Sequence, residues 1–567
     1  MSQIYNNKLI GGIGRVQLNT KASNSFPLVG ETVTLQALTK WAQRIEFIKK
    51  QSLEGSPINE TINNTSQATE TTITVTTEGE LQQKVRAMNF DNDGITGLFS
   101  AEKSRYLYAM QPQQLPYFDV EVSEIVRVGD IGSITVKPDN GYSFTREHTI
   151  TAKIYREDEK GNPVRTLTFD TGGTVEGDTD SFSFSEASDR GIYDIEVSVT
   201  DVLLGRTLVK RINKIITITP RLAVRPSEGQ QPFGIINGDH GTKIQMYRTG
   251  VNDLYATFEV PNLTFYTNIN IANFPAGYDA YTLVLSKPAS EDGNVYSKIR
   301  LAGNGNGGVA NASGTPQFSY EPPLVITIDS PTPVEFHGSA YHCVNYDGDI
   351  HHTVWDGRGY YNLHNGIKFT KNPVTGELPT TCFQLLNGTS DAELFELEMT
   401  DVKFSAIMSK TDPNATNPIY WYGNFEQHNF WFHHNYTHDT TCEGCYLGYY
   451  TSEQVETTYT GETVSFKNLK GEAVTYVKGQ KYPKKAHYLT NFRFYRNLYE
   501  RTGYDGVQIS NSEGDVCYNT LIGCSYKEEA SQTSGLSIQS LTGKCYNNFI
   551  YDSHGPNLQI GPIGNLD

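Results

Sequence analysis

The chain has 567 residues, a formal net charge of -17 and a sequence pI near 5.3. That balance argues against nucleic acid as a partner, because phosphate backbones are held by cationic surfaces. No apolar run reaches the roughly 20 residues of a helical membrane crossing, so insertion into a bilayer is not expected. With 51 Gly, 35 Tyr and 26 Phe, the composition fits an all-β protein long enough for three or four domains.

The first residues, Met1-Ser-Gln-Ile-Tyr-Asn-Asn-Lys-Leu-Ile10, lack the basic segment, apolar run and small-residue cleavage site of a secretory leader. The expectation is a native start; the alternative is a leader already removed. Residues 1–113 then alternate apolar and polar, as in Thr32-Val-Thr-Leu-Gln-Ala37, Arg44-Ile-Glu-Phe-Ile48, Thr72-Ile-Thr-Val-Thr76 and Lys84-Val-Arg-Ala-Met88, with Asp91-Asn-Asp-Gly94 turning a hairpin. Residues 114–219 repeat the style in Ser133-Ile-Thr-Val136, Thr149-Ile-Thr-Ala-Lys-Ile-Tyr155, Gly191-Ile-Tyr-Asp-Ile-Glu-Val-Ser-Val199 and Lys214-Ile-Ile-Thr-Ile-Thr219. Both segments resemble immunoglobulin-like (Ig-like) β-sandwich modules of the disulfide-free kind, which implies spacers or docking pieces.

Residues 220–320 read as a β-rich connector or cap, with strands at Ala256-Thr-Phe-Glu-Val260, Thr267-Asn-Ile-Asn-Ile271 and Tyr281-Thr-Leu-Val-Leu285. Gly303-Asn-Gly-Asn-Gly-Gly308 fits a G-x-G-x-x-G pattern. The loop residues Val309-Ala-Asn-Ala-Ser-Gly-Thr-Pro316 follow it, where a phosphate cradle needs a helix start, so it reads as a loop.

From residue 321 to 567 the sequence repeats. Asn429–Leu447 aligns without a gap on Asn491–Ile509, and looser copies follow at Cys517-Tyr-Asn-Thr-Leu-Ile522 with Gly535-Leu-Ser-Ile538, and at Cys545-Tyr-Asn-Asn-Phe-Ile550 with Asn557-Leu-Gln-Ile560. Short β-type runs repeating at such spacing imply stacked coils whose like residues form columns. The expected columns are Phe432, Phe494, Cys517 and Cys545; Tyr436, Leu498, Leu521 and Phe549; Thr437, Tyr499, Ile522 and Ile550; and the polar set Asn435, Asn497, Thr520 and Asn548. These residues resemble the right-handed parallel β-helix of the pectate-lyase-like and phage-tailspike-like group; Val354-Trp-Asp-Gly-Arg-Gly359 and Gly366-Ile-Lys-Phe369 look like its early coils. The resemblance implies a particle appendage or an enzyme, with a purely structural particle protein as the third reading. The first is a structural appendage of a phage or phage-like injection particle, assembled in a host cytoplasm, trimeric, touching other particle subunits and binding cell-surface polysaccharide. The alternative is a secreted polysaccharide lyase or glycoside hydrolase with Ig-like spacers.

Residues 451–490 lie between the two best-matched coils and read as a hairpin thrown out of the stack, so the 62-residue offset still places His438 over Glu500, Asp439 over Arg501 and Glu443 over Asp505, about 4.8 Å apart. Two carboxylates so close cannot both ionise cheaply, which makes Glu443 and Asp505 the candidate acid and base or nucleophile of glycoside cleavage, with His438, Arg501 and Tyr504 orienting a sugar. Both acids precede a glycine, and a structural role in a turn is the competing reading. No cofactor is expected, except calcium if the chemistry is that of a lyase. Tyr420, Trp421, Tyr422, Trp431, Tyr446 and Tyr504 offer flat faces for sugar rings.

Seven cysteines fall between Cys343 and Cys545; Cys442-Glu-Gly-Cys445 has the spacing of a zinc half-site but no second pair, so small buried hydrophobes are expected. Strand alternation sends His433 and His434 to opposite faces, and no metal centre is expected there.

Overall fold

The computed structural model describes residues 17–23, 32–40, 44–50, 57–63, 68–76, 79–90, 96–109, 118–138, 148–159, 161–169, 177–201, 206–224, 243–259, 267–270, 280–285, 299–302, 323–338, 341–347, 350–425, 427–450, 453–527 and 532–561. The chain divides into two compact units, Met1–Thr219 and Pro220–Asp567. The turn expected at 91–94 and the Gly303–Gly308 loop lie outside the described residues.

The first unit holds two sandwiches, antiparallel except where Ile125–Arg127 lies parallel on Arg206–Thr219. In one, a sheet of Gln17–Ala22, Thr32–Lys40 and Ala68–Thr74 faces a sheet of Ile58–Asn63, Arg44–Lys49, Gly79–Phe90 and Thr96–Ala109. Val33, Leu35 and Ile73 from the first sheet meet Ile45, Phe47 and Val85 from the second in one buried cluster, because period-two alternation turns every second residue inward. The other sandwich sets three strands, Asp178–Ser183, Ile131–Pro138 and Phe118–Val122, on a five-stranded sheet centred on Gly191–Asp201. Tyr193, near the start of that central strand, donates its hydroxyl proton back to the Asp189 carbonyl, the corner that marks Ig-like sandwiches.

The second unit is a stack of parallel coils, and each coil gives one strand to each of three ladders. The first ladder runs through Tyr281–Leu285, Leu324–Ile328, Thr353–Asp356, Ala392–Phe395, Trp431–His433 and Leu489–Tyr495. The second runs through Val334–His337, Ile367–Thr370, Leu397–Thr400, Tyr436–His438, Leu498–Glu500, Thr520–Ile522 and Phe549–Tyr551, all parallel. The third begins at Thr267–Asn270 and passes through Ile299–Ala302, Val344–Asp347, Thr381–Leu385, Ser405–Ser409 and Cys445–Leu447. Two long strands, Val507–Cys517 and Leu536–Tyr546, serve the third ladder with their first halves and the first ladder with their second halves.

Parallel pairing therefore starts upstream of residue 321, inside the segment read as a connector. The strand Lys243–Arg248 lies antiparallel on both Asp253–Glu259 and Tyr281–Leu285, where it covers the first free edge. Inside the stack, apolar side chains line up in columns: Phe336 stacks on Phe369 with centroids 4.8 Å apart, and Trp355, Leu394, Phe432 and Phe494 are fully buried.

The corners explain the asparagines. Glu396, His434, Arg496, Tyr518 and Asn547 occupy equivalent positions with φ of 54, 53, 55, 58 and 53°, so each coil turns sharply on a single left-handed residue. Such a corner takes backbone groups out of the ladder, and the next side chain satisfies them. Asn435 Nδ2 donates to Asn497 Oδ1 (3.1 Å), Asn497 Nδ2 to Asn519 Oδ1 (3.0 Å) and Asn519 Nδ2 to Asn548 Oδ1 (2.9 Å). The same oxygens accept the backbone N–H of Asn435, Asn497 and Asn519.

This ladder corrects the expected register of the third copy by one residue. Asn519, not Thr520, continues the polar column; Val516, not Cys517, lies on Phe494; Thr520 and Leu521, not Leu521 and Ile522, follow Leu498 and Tyr499. The tripeptide Cys-Tyr-Asn recurs at 517 and 545, but these copies lie 28 residues apart while the stacking offset is 29, and a one-residue slip would turn each apolar side chain to the wrong face.

Candidate functional site

The aligned coils do stack. His438 pairs with Glu500, Cys445 with Val507, and the Gly444 N–H donates to the Asp505 carbonyl at 3.1 Å, so Glu443 and Asp505 occupy successive rungs. Both are buried, at 2% and 1% exposure. The chain after the Thr520–Ile522 strand crosses over them. Gln532 Nε2 donates to Glu443 Oε1 (2.7 Å), the Ser534 N–H donates to Asp505 Oδ1 (2.7 Å), and the Tyr526 hydroxyl reaches the Thr440 carbonyl (3.3 Å). Glu443 Oε2 is buried and has no hydrogen-bond partner among the described residues.

Burial pushes the Asp505 carboxyl up to about 6, and the Ser534 N–H offsets part of that rise. Burial likewise raises Glu443, helped by the charge of Asp505 and opposed by Gln532. Both carboxyls are thus shifted toward the protonated form, the direction an acid catalyst needs, but the pair faces a polypeptide crossing and not open solvent.

His438 and Arg501 form a different cluster on the outer face of the second ladder. His438 Nε2 lies 3.2 Å from Glu398 Oε1 and its Nδ1 2.7 Å from Asp439 Oδ2, while Tyr436 stacks on its ring at 4.4 Å and donates to Glu500 (2.6 Å). Although burial works against it, these two carboxylates raise the His438 pKa above its ordinary value. Arg501 forks onto Asp439 with bonds of 2.7 and 2.8 Å and holds that carboxyl down at about 2. The four residues proposed for catalysis therefore fall into two constellations, one covered and one fully ion-paired.

The aromatic platform is only partly displayed. Tyr422 is exposed, and Trp431 and Tyr504 are half-buried. Tyr420, Trp421 and Tyr446 are buried at 4%, 1% and 7%, so these three of the six pack inside the protein and offer no open face. Trp421 packs edge-on against Tyr476 of the thrown-out hairpin and donates its indole N–H to the Asn414 carbonyl, and Tyr420 joins Ile419 and Phe466 in a small separate core. The hairpin is real: Val464–Lys467 pairs with Ala473–Tyr476, and Val455–Thr458 with Lys481–Lys484. Burying its base required the rings that the sequence alone offered to a ligand.

The histidine expectation changes. His434 takes the left-handed corner, so its ring swings back to His433, with Nδ1 atoms 2.8 Å apart, and strand alternation no longer separates them. Sequence reasoning also missed Asp391. His351 Nδ1, His428 Nε2 and His352 Nε2 lie 3.0, 3.7 and 4.0 Å from its Oδ2, and Asn429 donates to Oδ1 at 2.7 Å. Burial opposes ionisation there, yet His351, Asn429 and the charges of the other two rings hold Asp391 down at about 2. The signal was the corner spacing that stacks His352, Asp391 and Asn429. Among the described residues no group of three or more His, Cys, Asp or Glu is arranged to hold a metal ion, and no disulfide is formed.

No protein-family model matches the chain, and neither does any curated protein. Solved structures with local similarity include a marsupial T cell receptor, at 8% identity over 41% of this chain and 85% of that one, with a TM-score of 0.16. The human OSCAR ligand-binding domain matches at 15% identity over 34% of this chain and 94% of its own, TM-score 0.16. The native conformation of E. coli alpha-2-macroglobulin matches at 11% identity over 43% of this chain and 20% of its own, TM-score 0.22. Likeness at that level carries no argument about function. What the strand pairing defines is an all-β protein with antiparallel sandwiches followed by a parallel coil stack.

Proposed function

We propose that this chain is a structural appendage of a phage or phage-like injection particle, tail spike-like or tail fibre-like, which binds cell-surface polysaccharide through its coil stack. In this reading residues 1–113 and 114–219 are Ig-like spacers, the start of the 220–320 segment caps the stack with Lys243–Arg248 while its later strands already belong to the coils, and the coils form a right-handed parallel β-helix, the hand that parallel crossovers take almost without exception. Its setting is a virion or similar particle, its other partners are neighbouring particle subunits, and a trimer is the favoured assembly.

The observation that carries the adhesive reading over an enzymatic one is the cover on the acid pair: Gln532 and Ser534 occupy the hydrogen-bonding directions that a sugar would need at Glu443 and Asp505. The raised carboxyls favour the second reading, a polysaccharide lyase or glycoside hydrolase. A calcium-dependent lyase would further need several converging oxygen ligands, and the acid pair supplies only two carboxylates, already engaged by Gln532 and Ser534.

Incubation of the whole chain with a panel of bacterial surface polysaccharides tests both readings. Retention of a polysaccharide without release of reducing ends or unsaturated products is the expected result. Cleavage that disappears in Glu443→Gln and Asp505→Asn would replace adhesion with catalysis.

A further inference from the structure

We infer that the root of the thrown-out hairpin is an anion-selective sugar site, in which Tyr422 and Tyr488 present ring faces and Lys485 binds the carboxylate of an acidic glycan. This rests on the glycan-binding reading above and names both the place and the ligand class. Lys485 Nζ sits over two rings at once, 4.7 Å from the centroid of Tyr422 and 5.3 Å from that of Tyr488. The rings meet edge to face at 5.4 Å, Tyr422 is 52% exposed, and its backbone N–H is tied to the Lys485 carbonyl at 2.9 Å. The platform is therefore held by backbone as well as by side chains.

The surroundings extend it. Leu469, 51% exposed at the hairpin tip, donates its N–H to the Gly423 carbonyl at 3.1 Å, which brings the tip and the exposed Lys470 beside Tyr422. A side chain at Gly423 would meet nothing within 4 Å, so the strip between them is open.

Charge identifies the ligand. Residues 451–488 contain six Lys, four Glu and no Asp or Arg, a surplus of two positive charges on a chain that totals -17. On the coils several cations are neutralised locally: Lys368 by Glu398, Lys371 by Asp401, Lys410 by Asp412 and Arg501 by Asp439. On the hairpin only Lys478 holds a carboxylate, that of Glu462, among the described residues. Unneutralised ammonium groups beside the exposed Tyr422 and the half-buried Tyr488 suit a ring that carries both C–H faces and a carboxylate. The absence of Arg and the overall negative charge disfavour a nucleic acid, whose charge is denser than that of a glycan bearing one carboxylate per sugar.

Calorimetric titration of the whole chain with oligogalacturonate and with oligosialate, against neutral dextran oligosaccharides and a single-stranded oligonucleotide, tests the site. The expected result is binding of an acidic oligosaccharide that Tyr422→Ala and Lys485→Gln each weaken roughly ten-fold, that Lys485→Arg largely keeps, and that salt weakens. Equal affinity in these variants, or equal binding of dextran or of the oligonucleotide, would overturn the site while leaving glycan binding elsewhere on the coils intact. If no surface polysaccharide or test glycan binds at all, the adhesive reading fails with it.

Discussion

The two compact units are both built from strands, yet they solve the problem of a strand's unsatisfied backbone in different ways. In the sandwich centred on Gly191–Asp201, antiparallel neighbours take up the hydrogen bonds, corners are left to turns, and inward side chains such as Ile150, Ile154, Ile195 and Val197 meet the opposite sheet. In the coil stack each coil must turn three times within a short stretch, and the corner backbone is satisfied by side chains from the coil above or below. The sandwich thus depends on apolar complementarity between sheets. The stack depends also on a buried polar column running along its axis.

The largest effect should come from cutting that column. Asn497 Oδ1 accepts from Asn435, and its Nδ2 donates to the carbonyls of Phe432 and Tyr495 and to Asn519. Asn497→Ala removes these bonds and strands their partners in a buried corner, an expected loss of roughly 4 kcal/mol from several buried hydrogen bonds and the groups left without partners. Denaturant unfolding should show the loss. The same change at Asn548, in the last described corner and part-exposed, should cost clearly less. Equal costs would mean that the column is decorative.

Ile195→Ala tests the other side of the comparison. Ile195 is fully buried in the central strand of its sandwich, and truncation should cost roughly 3 kcal/mol in transfer and cavity terms. Scanning calorimetry should show that the transition of the first unit falls while that of the coil stack stays. A single transition moving as a whole would show that the two units unfold together.

Of this contrast, the sandwiches were the more legible in sequence, because alternation such as Thr149-Ile-Thr-Ala-Lys-Ile-Tyr155 encodes the buried face directly. The stack was legible where two copies aligned without a gap, and it slipped at the third copy, since the Cys-Tyr-Asn tripeptides at 517 and 545 lie 28 residues apart while the coils there stack at an offset of 29. The stacking of Glu443 on Asp505 and of Asp439 on Arg501 followed from that alignment. The cover over the acid pair did not, because Gln532 and Ser534 belong to a crossing with no periodic pattern. Nor did the burial of Tyr420 and Trp421: a tyrosine that packs a hairpin base and one that greets a sugar have the same letter.

A smaller effect distinguishes a strained acid pair from a catalytic one. The folded Asp505 carboxyl is raised from its ordinary 3.8 to about 6, so the folded state binds a proton that the unfolded chain has released between those values. Its cost is absent below about pH 4, where both states are protonated, and grows as pH rises through about 6. Asp505→Asn keeps an acceptor for the Ser534 N–H and should stabilise the chain at pH 7.5 by on the order of 2 kcal/mol, with no gain near pH 3.5. Urea titrations at the two pH values would check it, and a loss of stability at pH 7.5 would mean that the charged carboxylate is needed where it stands.

The smallest expected effect lies on the surface of the second ladder, and it sharpens the contrast between coil cations and hairpin cations. Arg501 and Asp439 form a two-bond fork, but their side chains are 54% and 43% exposed, so water and salt screen most of the attraction. Arg501→Ala should cost no more than about 1 kcal/mol at low salt and less at about 0.5 M NaCl. The sign with pH follows from Asp439, whose folded carboxyl is depressed to about 2: the pair contributes above the ordinary 3.8 and is lost as pH falls through about 2. Acid titration of the variant and the parent should therefore converge at low pH. Should Arg501→Ala instead weaken polysaccharide retention while stability stays unchanged, the coil cations would be ligand groups in their own right, and the division between a neutralised coil body and an anion-seeking hairpin would fall.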